Sequence, residues 1–263
     1  SIHSAPRGSC PGPSGISVEL MLLLPVEAIL CLTKINNLAI EWGEIAEAYD
    51  SGFIYPIPKK GGTEISNCRP ISLLETPCKA MTRMLNRRLV SRLLDRGFFS
   101  PWQYGFLPGR SCPDAFHILL GAVEDAKQYN KEIHVCLVDL TKAFDSLSPE
   151  SLRQAYTHAG LSHKSVNILN TMDGTGTARM LTPWGPTEKV NIKWGVRQGE
   201  VLSPAKFIIW LNPWLEHIRL KFPGMGYAFH DKNGLPSDVR TTLLAFADDI
   251  AIITDNHKDM QEI

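Results

Sequence analysis

The stretch LLAFADDIAIIT, residues Leu243 to Thr254, places two adjacent aspartates inside an otherwise apolar segment. The pattern predicts two short buried strands, Leu243 to Phe246 and Ile250 to Thr254, joined by a tight turn that carries Asp248 and Asp249. Adjacent carboxylates repel each other, and burying either one costs several kcal/mol unless a cation offsets the charge. The pair therefore indicates either a divalent metal site or a solvated hairpin turn, since aspartate is common in turns.

A second acidic motif, CLVDLTKAFDSL, runs from Cys136 to Leu147, and its strand-like first half ends at Asp139. A strand-end aspartate opposite the aspartates of a hairpin turn is the minimum needed to hold two metal ions. Two such ions activate the attacking oxygen and stabilise the leaving oxygen in phosphoryl transfer. Alone, Asp139 could also be a strand-terminal cap, but the two motifs together favour the metal site.

The 263 residues carry no net charge, yet the charge is unevenly distributed. Residues 51–110 contain ten Lys/Arg and three Asp/Glu, whereas the rest of the chain contains 17 and 24. This imbalance is expected if one part of the protein binds phosphates and another binds metal. A basic helix face exposed to solvent would give the same imbalance.

Cysteine spacing and hydropathy indicate an intracellular protein without a membrane span. None of the six cysteines forms a Cys-x-x-Cys pair or has a histidine at zinc spacing, so we expect reduced thiols and no structural zinc. The apolar stretch from Glu19 to Leu32 is interrupted by Pro25 and Glu27 and is too short to cross a bilayer. We expect it to form a core helix.

Local signals predict an alternation of strands and helices, which indicates an α/β or α+β class. Residues Phe53 to Gly62 predict a short strand that runs into a Lys-Lys-Gly-Gly turn, and two prolines restrict this strand to a sheet edge. A basic helix is predicted from Thr76 to Gly97. Another helix follows Ser111, with Asp114 at capping-box spacing. Its predicted buried stripe consists of Phe116, Leu119, Leu120 and Val123.

Six motifs, in this order along the chain, resemble those of the reverse transcriptases of non-LTR (LINE-type) retrotransposons. They are CPGPSGIS, IPKKGGTEISNCRPISLL, QYGFLPGRS, LVDLTKAFDSL, GVRQGEVLSP and AFADDIAI. The resemblance implies an α+β right-hand polymerase with an antiparallel palm sheet. Residues 1–132, which include the N-terminal extension motif, would be mainly fingers. Residues 133–263 would be mainly palm, truncated after the metal-binding hairpin, with the thumb absent.

The resemblance also implies an RNA-directed DNA polymerase with an RNA template, a DNA primer, dNTPs and two Mg²⁺ ions, for which Mn²⁺ could substitute. Its implied metal ligands are Asp139, the backbone carbonyl of Leu140, Asp248 and Asp249, and the three aspartates are the catalytic residues. The residues implied to bind the dNTP are Lys59, Lys60, Arg69, Phe144, Gln198 and Gly199. Those expected to contact the nucleic-acid backbone are Arg83, Arg87, Arg88, Arg92 and Arg197.

Phe144 occupies the family's steric-gate position, where a bulky ring beside the sugar would favour dNTPs over rNTPs. It could instead be a core phenylalanine, and Lys59 and Lys60 could belong to a solvated turn. Asp145 is expected to make only a local hydrogen bond. Departures from the family pattern, at Glu200 and in AKFIIWLNPW (Ala205 to Trp214), put specificity rather than activity in doubt.

Two alternatives to an active reverse transcriptase remain. One is an inactive remnant that only binds nucleic acid. The other, a viral RNA-dependent RNA polymerase, is disfavoured by Phe144, because such enzymes must accept a 2′-hydroxyl. The family resemblance further implies a nuclear location.

Overall fold

The computed structural model describes residues 2–3, 5–59, 64, 67–174 and 176–263. Its helices are α1 (Val18–Leu22), α2 (Val26–Trp42), α3 (Glu47–Asp50), α4 (Thr76–Asp95), α5 (Cys112–Gln128), α6 (Pro149–His158), α7 (His163–Gly174), α8 (Ser203–Lys221) and α9 (His257–Glu262). Its strands are β1 (Ser51–Pro58), β2 (Cys68–Leu73), β3 (His134–Asp139), β4 (Thr177–Thr182), β5 (Gly185–Pro186), β6 (Val190–Asn191), β7 (Tyr227–His230), β8 (Pro236–Thr241), β9 (Leu243–Phe246) and β10 (Asp249–Thr254). Mostly antiparallel sheets combined with helices confirm the α+β class.

The chain divides into two compact units, each built from two stretches of sequence. The first unit comprises Ser1–Arg92 and Phe144–Lys206, and the second unit comprises Leu93–Ala143 and Phe207–Ile263. The assignment of residues 1–132 mainly to fingers and of residues 133–263 mainly to palm stays a prediction.

The first unit contains a sheet in the order β2-β1-β4-β5, with β6 also paired to β4. Strand β1 pairs antiparallel with β2 along most of its length and parallel with β4 over Ser51–Ile54 only. The prediction of an edge strand is therefore wrong for the first half of β1. Pro56 and Pro58 lie in the other half, beyond the pairing with β4, where their missing N–H groups leave no ladder bond unmade.

The second unit contains the predicted hairpin, in a sheet of order β3-β10-β9. Both of its arms are antiparallel to their neighbours, and β10 lies between the other two strands. Residues Ile250–Thr254 are all buried, as the apolar sequence predicts. The turn is one residue shorter than predicted, because Asp249 is already the first residue of β10.

Helix α5 begins with the predicted capping box of Ser111 and Asp114, but its predicted buried stripe is wrong. Phe116 is 58% exposed, and Leu120 and Val123 are also exposed, whereas Leu119 is partly buried. The helix packs instead through two alanines, Ala122 and Ala126, against buried residues of β7, β9 and β10. Small side chains let a helix approach a sheet closely, so the alanine face rather than the bulky face was buried.

The apolar stretch near the N-terminus does not form the predicted core helix. It is divided between α1 and α2, because Pro25 precedes the first turn of α2. Leu23 and Val26 are 81% and 70% exposed. Within the residues that the structure describes, no helix combines the length and the apolar character needed to cross a membrane. All six cysteines are free thiols.

Candidate active site

Asp139 and the adjacent pair Asp248 and Asp249, which are more than a hundred residues apart in sequence, lie at the same end of the sheet in the second unit. Asp139, the last residue of β3, is the register partner of Asp249, the first residue of β10. Directly opposed residues of antiparallel strands have Cβ atoms roughly 4.5–5.5 Å apart and point to the same face. Asp248 is the last residue of the turn and immediately precedes Asp249. Asp139 and Asp249 are exposed and also line a cavity of about 330 Å³ beside α5.

The electrostatics of this turn favour a bound cation. Partial burial, together with the nearby charges of Asp249 and Asp139, raises the pKa of Asp248 above its usual value. In the described part of the chain, no three His, Cys, Asp or Glu side chains are close enough to bind a metal by themselves. Mg²⁺ in polymerases is bound by one or two carboxylates together with substrate phosphates, so the aspartates fit an ion that is completed by a nucleotide.

Leu140, whose carbonyl is the fourth predicted metal ligand, directly follows Asp139. Its carbonyl oxygen accepts a hydrogen bond from the Ala143 N–H at 3.2 Å. A carbonyl oxygen has two lone pairs, so this bond leaves one of them for a cation.

In the first unit, the segment that contains Phe144 is hydrogen-bonded to the GVRQGE motif. The N–H of Val196 donates to the Phe144 carbonyl at 2.9 Å, and the N–H of Gly195 donates to the Leu147 carbonyl at 2.7 Å. Gly195 has a φ of 83°, and a Cβ there would lie 2.9 Å from the Cα of Asp145. The close contact explains the glycine, because any side chain would push the two segments apart.

The same motif is also joined to β2. The N–H of Ser72 donates to the Gln198 carbonyl at 2.6 Å. Gly199 has a φ of 104°, and a Cβ there would lie 2.7 Å from the Ser72 carbonyl oxygen. The close backbone approach that requires this glycine is therefore to β2. Gln198 Nε2 donates to Asp145 Oδ1 at 3.4 Å, so Asp145 has a partner 53 residues away in sequence, and the local bond expected for it stays a prediction.

The predicted dNTP-binding residues that the structure describes all belong to the first unit. Lys59 directly follows β1 and Arg69 lies on β2, and both side chains are exposed. The N–H of Lys59 donates to the Asn67 carbonyl at 2.9 Å, which extends the pairing of the two strands. Phe144 is partly buried. Lys60 lies outside the described residues.

Arg197, which is predicted to contact the nucleic-acid backbone, has a close protein partner. Its Nη2 donates to the Asp50 carbonyl at 3.3 Å and lies 3.9 Å from Asp50 Oδ1. Only 11% of the Arg197 side chain is exposed. Its contact with nucleic acid stays a prediction.

A buried polar network that sequence reasoning missed anchors Glu200, the residue after Gly199. Lys206 Nζ, which is fully buried, lies 2.7 Å from Asp173 Oδ1 and 3.2 Å from Glu200 Oε2. The Tyr156 hydroxyl donates to Asp173 Oδ2 at 2.6 Å. Burial alone would lower the pKa of Lys206, but the two carboxylates outweigh it and raise this pKa to about 12. The available signal was a lysine inside an apolar helix and an unusual acid beside the Gln-Gly pair.

The predicted basic helix α4 presents most of its arginines to solvent. Arg87, Arg88 and Arg92 are exposed, whereas Arg83 is partly buried, and burial lowers its pKa. Arg88 and Arg92 line a cavity of about 250 Å³ to which α7 contributes Lys164, a cation outside the predicted basic helix. The structure thus extends the basic surface from one helix to two.

Comparisons with known proteins agree with this arrangement. The model of the reverse transcriptase (RNA-dependent DNA polymerase) family matches residues 57–263, more than half of the chain. The Pol polyprotein from the R2 retrotransposable element of Popillia japonica is 31% identical over 255 residues, which cover 95% of this chain and 33% of that protein. The R2DM element of Drosophila melanogaster is 28% identical over 255 residues, covering 96% of this chain and 22% of that protein. The chain thus spans a third or less of these relatives.

Among solved structures, apo telomerase from Candida tropicalis, truncated from its C-terminal domain, superposes with a TM-score of 0.57. It is 15% identical, and the match covers 86% of this chain and 49% of that one. At this identity the likeness concerns the fold alone, and it confirms the expected right-hand polymerase architecture. The family match and the R2 relatives confirm the resemblance to non-LTR retrotransposon enzymes that the six motifs indicated. This chain therefore belongs to the reverse transcriptase (RNA-dependent DNA polymerase) family.

Proposed function

We propose that this chain is the polymerase part of a non-LTR retrotransposon protein and that it synthesises DNA from dNTPs on an RNA template, starting from a DNA primer. Two Mg²⁺ ions are the proposed cofactor, and Mn²⁺ is a possible substitute. The observation that carries the proposal is the register that opposes Asp139 to Asp249, with Asp248 next to Asp249 at the end of the hairpin turn.

Asp139, Asp248 and Asp249, with the Leu140 carbonyl, are the residues that would hold the metal. When bound, a divalent cation stabilises the charge that develops on the reacting phosphate oxygens. Lys59 and Arg69 contribute positive charge to the binding of the triphosphate. The ring of Phe144 lies against the sugar of the dNTP and excludes a 2′-hydroxyl.

Primer extension tests this function directly. The chain, and a version that continues further downstream in the same reading frame, are incubated with an RNA template, an annealed DNA primer, dNTPs and Mg²⁺. Template-dependent extension by either protein supports the proposal. RNA binding without extension by both supports the second candidate, a nucleic-acid-binding remnant, for which Arg88, Arg92 and Lys164 would supply the cations that bind phosphate.

The basic helix should contribute to RNA binding through phosphate contacts. We expect the combined replacement of Arg83, Arg87, Arg88 and Arg92 by Gln to weaken RNA binding and to flatten its salt dependence. Each lost contact should reduce the slope of log K against log[salt] by about 0.7 to 0.9. The slope is measured by fluorescence anisotropy with a labelled RNA over a series of salt concentrations.

A matched control neutralises four exposed lysines of the second unit, Lys127, Lys131, Lys232 and Lys258. It changes the net charge equally but leaves α4 intact. If both variants change the slope equally, the effect is one of net charge only. An unchanged slope in the arginine variant would make α4 an ordinary solvated helix face.

Phe144 should select the sugar of the nucleotide. In the form of the protein that extends primers, Phe144→Ala should retain some DNA synthesis and gain ribonucleotide incorporation. We expect the ratio of kcat/KM for dNTP over rNTP to fall about tenfold or more, since shortening the side chain removes the clash with a 2′-hydroxyl. The ratio is measured for single-nucleotide addition, with a thermal melt of the same variant.

Phe222→Ala is the control for loss of a core phenylalanine, because Phe222 is only 8% exposed. It should lower the melting temperature and leave the ratio unchanged. If Phe144 were a core residue only, its replacement would behave like the control and cost about 3–5 kcal/mol of stability. That result would refute the proposal that Phe144 discriminates between dNTPs and rNTPs.

A further inference from the structure

The motif QYGFLPGRS contains a buried glutamine that is hydrogen-bonded to the turn between β9 and β10, the hairpin that carries Asp248 and Asp249 and is called the metal hairpin below. Gln103 has no exposed surface. Its side-chain Oε1 accepts hydrogen bonds from the Gly105 N–H at 2.7 Å and from the Ala247 N–H at 3.0 Å. Ala247 is 144 residues away in sequence and immediately precedes Asp248. Both partners are donors, which fixes the side-chain carbonyl, and not the NH₂ group, as the atom facing the turn.

The turn has a conformation that benefits from such an anchor. Ala247 has a φ of 59°, in the left-handed region that is unfavourable for residues with a Cβ. Its side chain is buried, with 2% exposure. A residue held in this region persists only when its surroundings determine its conformation. The bond from the Ala247 N–H to Gln103 is one such determinant, and it acts one residue before a predicted metal ligand.

The segment around Gln103 is itself fixed to the hairpin. The Tyr104 N–H donates to the Ala245 carbonyl at 2.7 Å, and the Ala245 N–H donates to the Trp102 carbonyl at 2.9 Å. A Cβ on Gly105 would lie 2.5 Å from the Ala247 nitrogen, so only glycine fits there.

Arg110, at the end of the same motif, fastens the segment from the other side. Its Nη1 donates to the carbonyls of Gln103 at 2.6 Å and Ser100 at 2.7 Å. Gln103, Gly105 and Arg110 therefore all stabilise the position of this backbone segment beside the hairpin turn.

We propose that Gln103 is a positioning residue of the metal site, which sets the direction of Asp248 relative to Asp139 and Asp249 by fixing Ala247. The proposal rests on the proposed function, in that it takes Asp248 as a metal ligand. Gln103 Nε2 is buried and has no hydrogen-bond partner among the residues that the structure describes. Replacing Gln103 by Met, which has a similar length, thus removes the acceptor and leaves no additional side-chain donor unpaired.

The test is Mn²⁺ binding to the 263-residue chain in the presence of a fixed concentration of dNTP, because the aspartates alone do not complete a metal site. Binding is followed by the electron paramagnetic resonance signal of the free ion, and a sample with dNTP but no protein is the blank. Gln103→Met should weaken Mn²⁺ binding by about 10- to 100-fold, the usual effect of removing a group that orients a metal ligand. Thr254→Val is the matched control, since the Thr254 hydroxyl is buried and donates to the Asn256 carbonyl at 2.8 Å at the far end of β10. It should lower the melting temperature without changing Mn²⁺ affinity.

A second substitution tests whether Gln103 acts through Ala247. Glycine adopts a positive φ without a steric penalty, so Ala247→Gly in the Gln103→Met background should recover part of the lost affinity. A double variant that binds no better than Gln103→Met would overturn the proposal, as would a Gln103→Met variant that binds like the wild type.

Asp248→Asn separates this proposal from the proposed function. If Asp248→Asn weakens Mn²⁺ binding but Gln103→Met does not, the metal site stands and the role of Gln103 is refuted. If Asp248→Asn binds Mn²⁺ like the wild type, Asp248 is not a ligand and both proposals fall.

Discussion

Asp248→Asn should reduce the rate of nucleotide addition at least about a thousandfold, and Asp139→Asn should have an effect of similar size. In the proposed mechanism the carboxylates would hold the cations that offset charge on the reacting phosphate, and such electrostatic stabilisation is usually the largest contribution to catalysis. An amide has the shape of the carboxylate but lacks its charge, so the fold should be retained. The rate is measured under single-turnover conditions, in the form of the protein that extends primers.

Asp145→Asn is the matched control, since Asp145 belongs to the same motif as Asp139 but is not a predicted metal ligand, and its Oδ1 accepts a hydrogen bond from Gln198. We expect it to change the rate less than tenfold, since Asn keeps the accepting Oδ1 and only weakens one long, exposed hydrogen bond. A rate near that of the wild type for Asp139→Asn or Asp248→Asn would contradict the two-metal mechanism.

Asp248→Asn should increase the stability of the fold, although it lowers the rate of nucleotide addition. Because the pKa of Asp248 is raised in the folded chain, its ionisation destabilises the fold at neutral pH. Asp248→Asn should therefore raise the melting temperature in metal-free buffer. This advantage should shrink as the pH falls from the raised pKa of the folded state towards the usual value of about 3.8, since the carboxyl becomes protonated in both states.

Lys206→Met should destabilise the protein by about 3–5 kcal/mol, the usual cost of removing one partner from a buried ion pair. Glu200 and Asp173 would remain buried without the cation that they share. The free energy of unfolding is measured by urea denaturation at neutral pH. The pKa of Lys206 is raised to about 12 in the folded chain. The stability that its charge contributes is therefore fully present below the usual pKa of lysine and is lost as the pH rises through the raised pKa of the folded state.

At acidic pH the loss of stability caused by Lys206→Met should be smaller. Burial raises the pKa of Asp173, so on acidification Asp173 takes up its proton at a higher pH than an ordinary carboxyl.

Neutral side chains at all three positions, in Lys206→Met/Glu200→Gln/Asp173→Asn, should recover much of the stability, since no buried charge then lacks a partner. Lys232→Met, at an exposed site, should change stability by less than about 0.5 kcal/mol. A loss of similar size for Lys206→Met would contradict the role of the network.

The hairpin and its acids could be predicted from the sequence because their signals are local. Two short apolar runs around an Asp-Asp pair have few alternatives, and the capping box of Ser111 and Asp114 requires only four residues. The bulky side of α5 was misassigned since apolar residues lie on two adjacent faces, and helical periodicity does not tell which face meets the sheet. Only the packing of Ala122 and Ala126 decides this.

The contacts that could not be predicted all join distant parts of the chain. The extra pairing of β1 with β4 depends on residues more than a hundred positions away. Lys206 has apolar neighbours in the sequence, and its two carboxylate partners are Asp173 of α7 and Glu200, which follows Gly199. Gln103 belongs to a recognised motif, but nothing near it in sequence indicates that its acceptor faces Ala247.

The fit of Gly105 against the nitrogen of Ala247 has a consequence for recombination between related elements. A Cβ on Gly105 would lie 2.5 Å from that nitrogen, so position 105 requires glycine and the hairpin backbone cannot move towards it without a matching shift. A chimera that receives a foreign metal hairpin should inherit the donor's QYGF-type segment as well, although the two are separated by more than a hundred residues. Crossovers between these segments would combine backbones that have not been selected for each other.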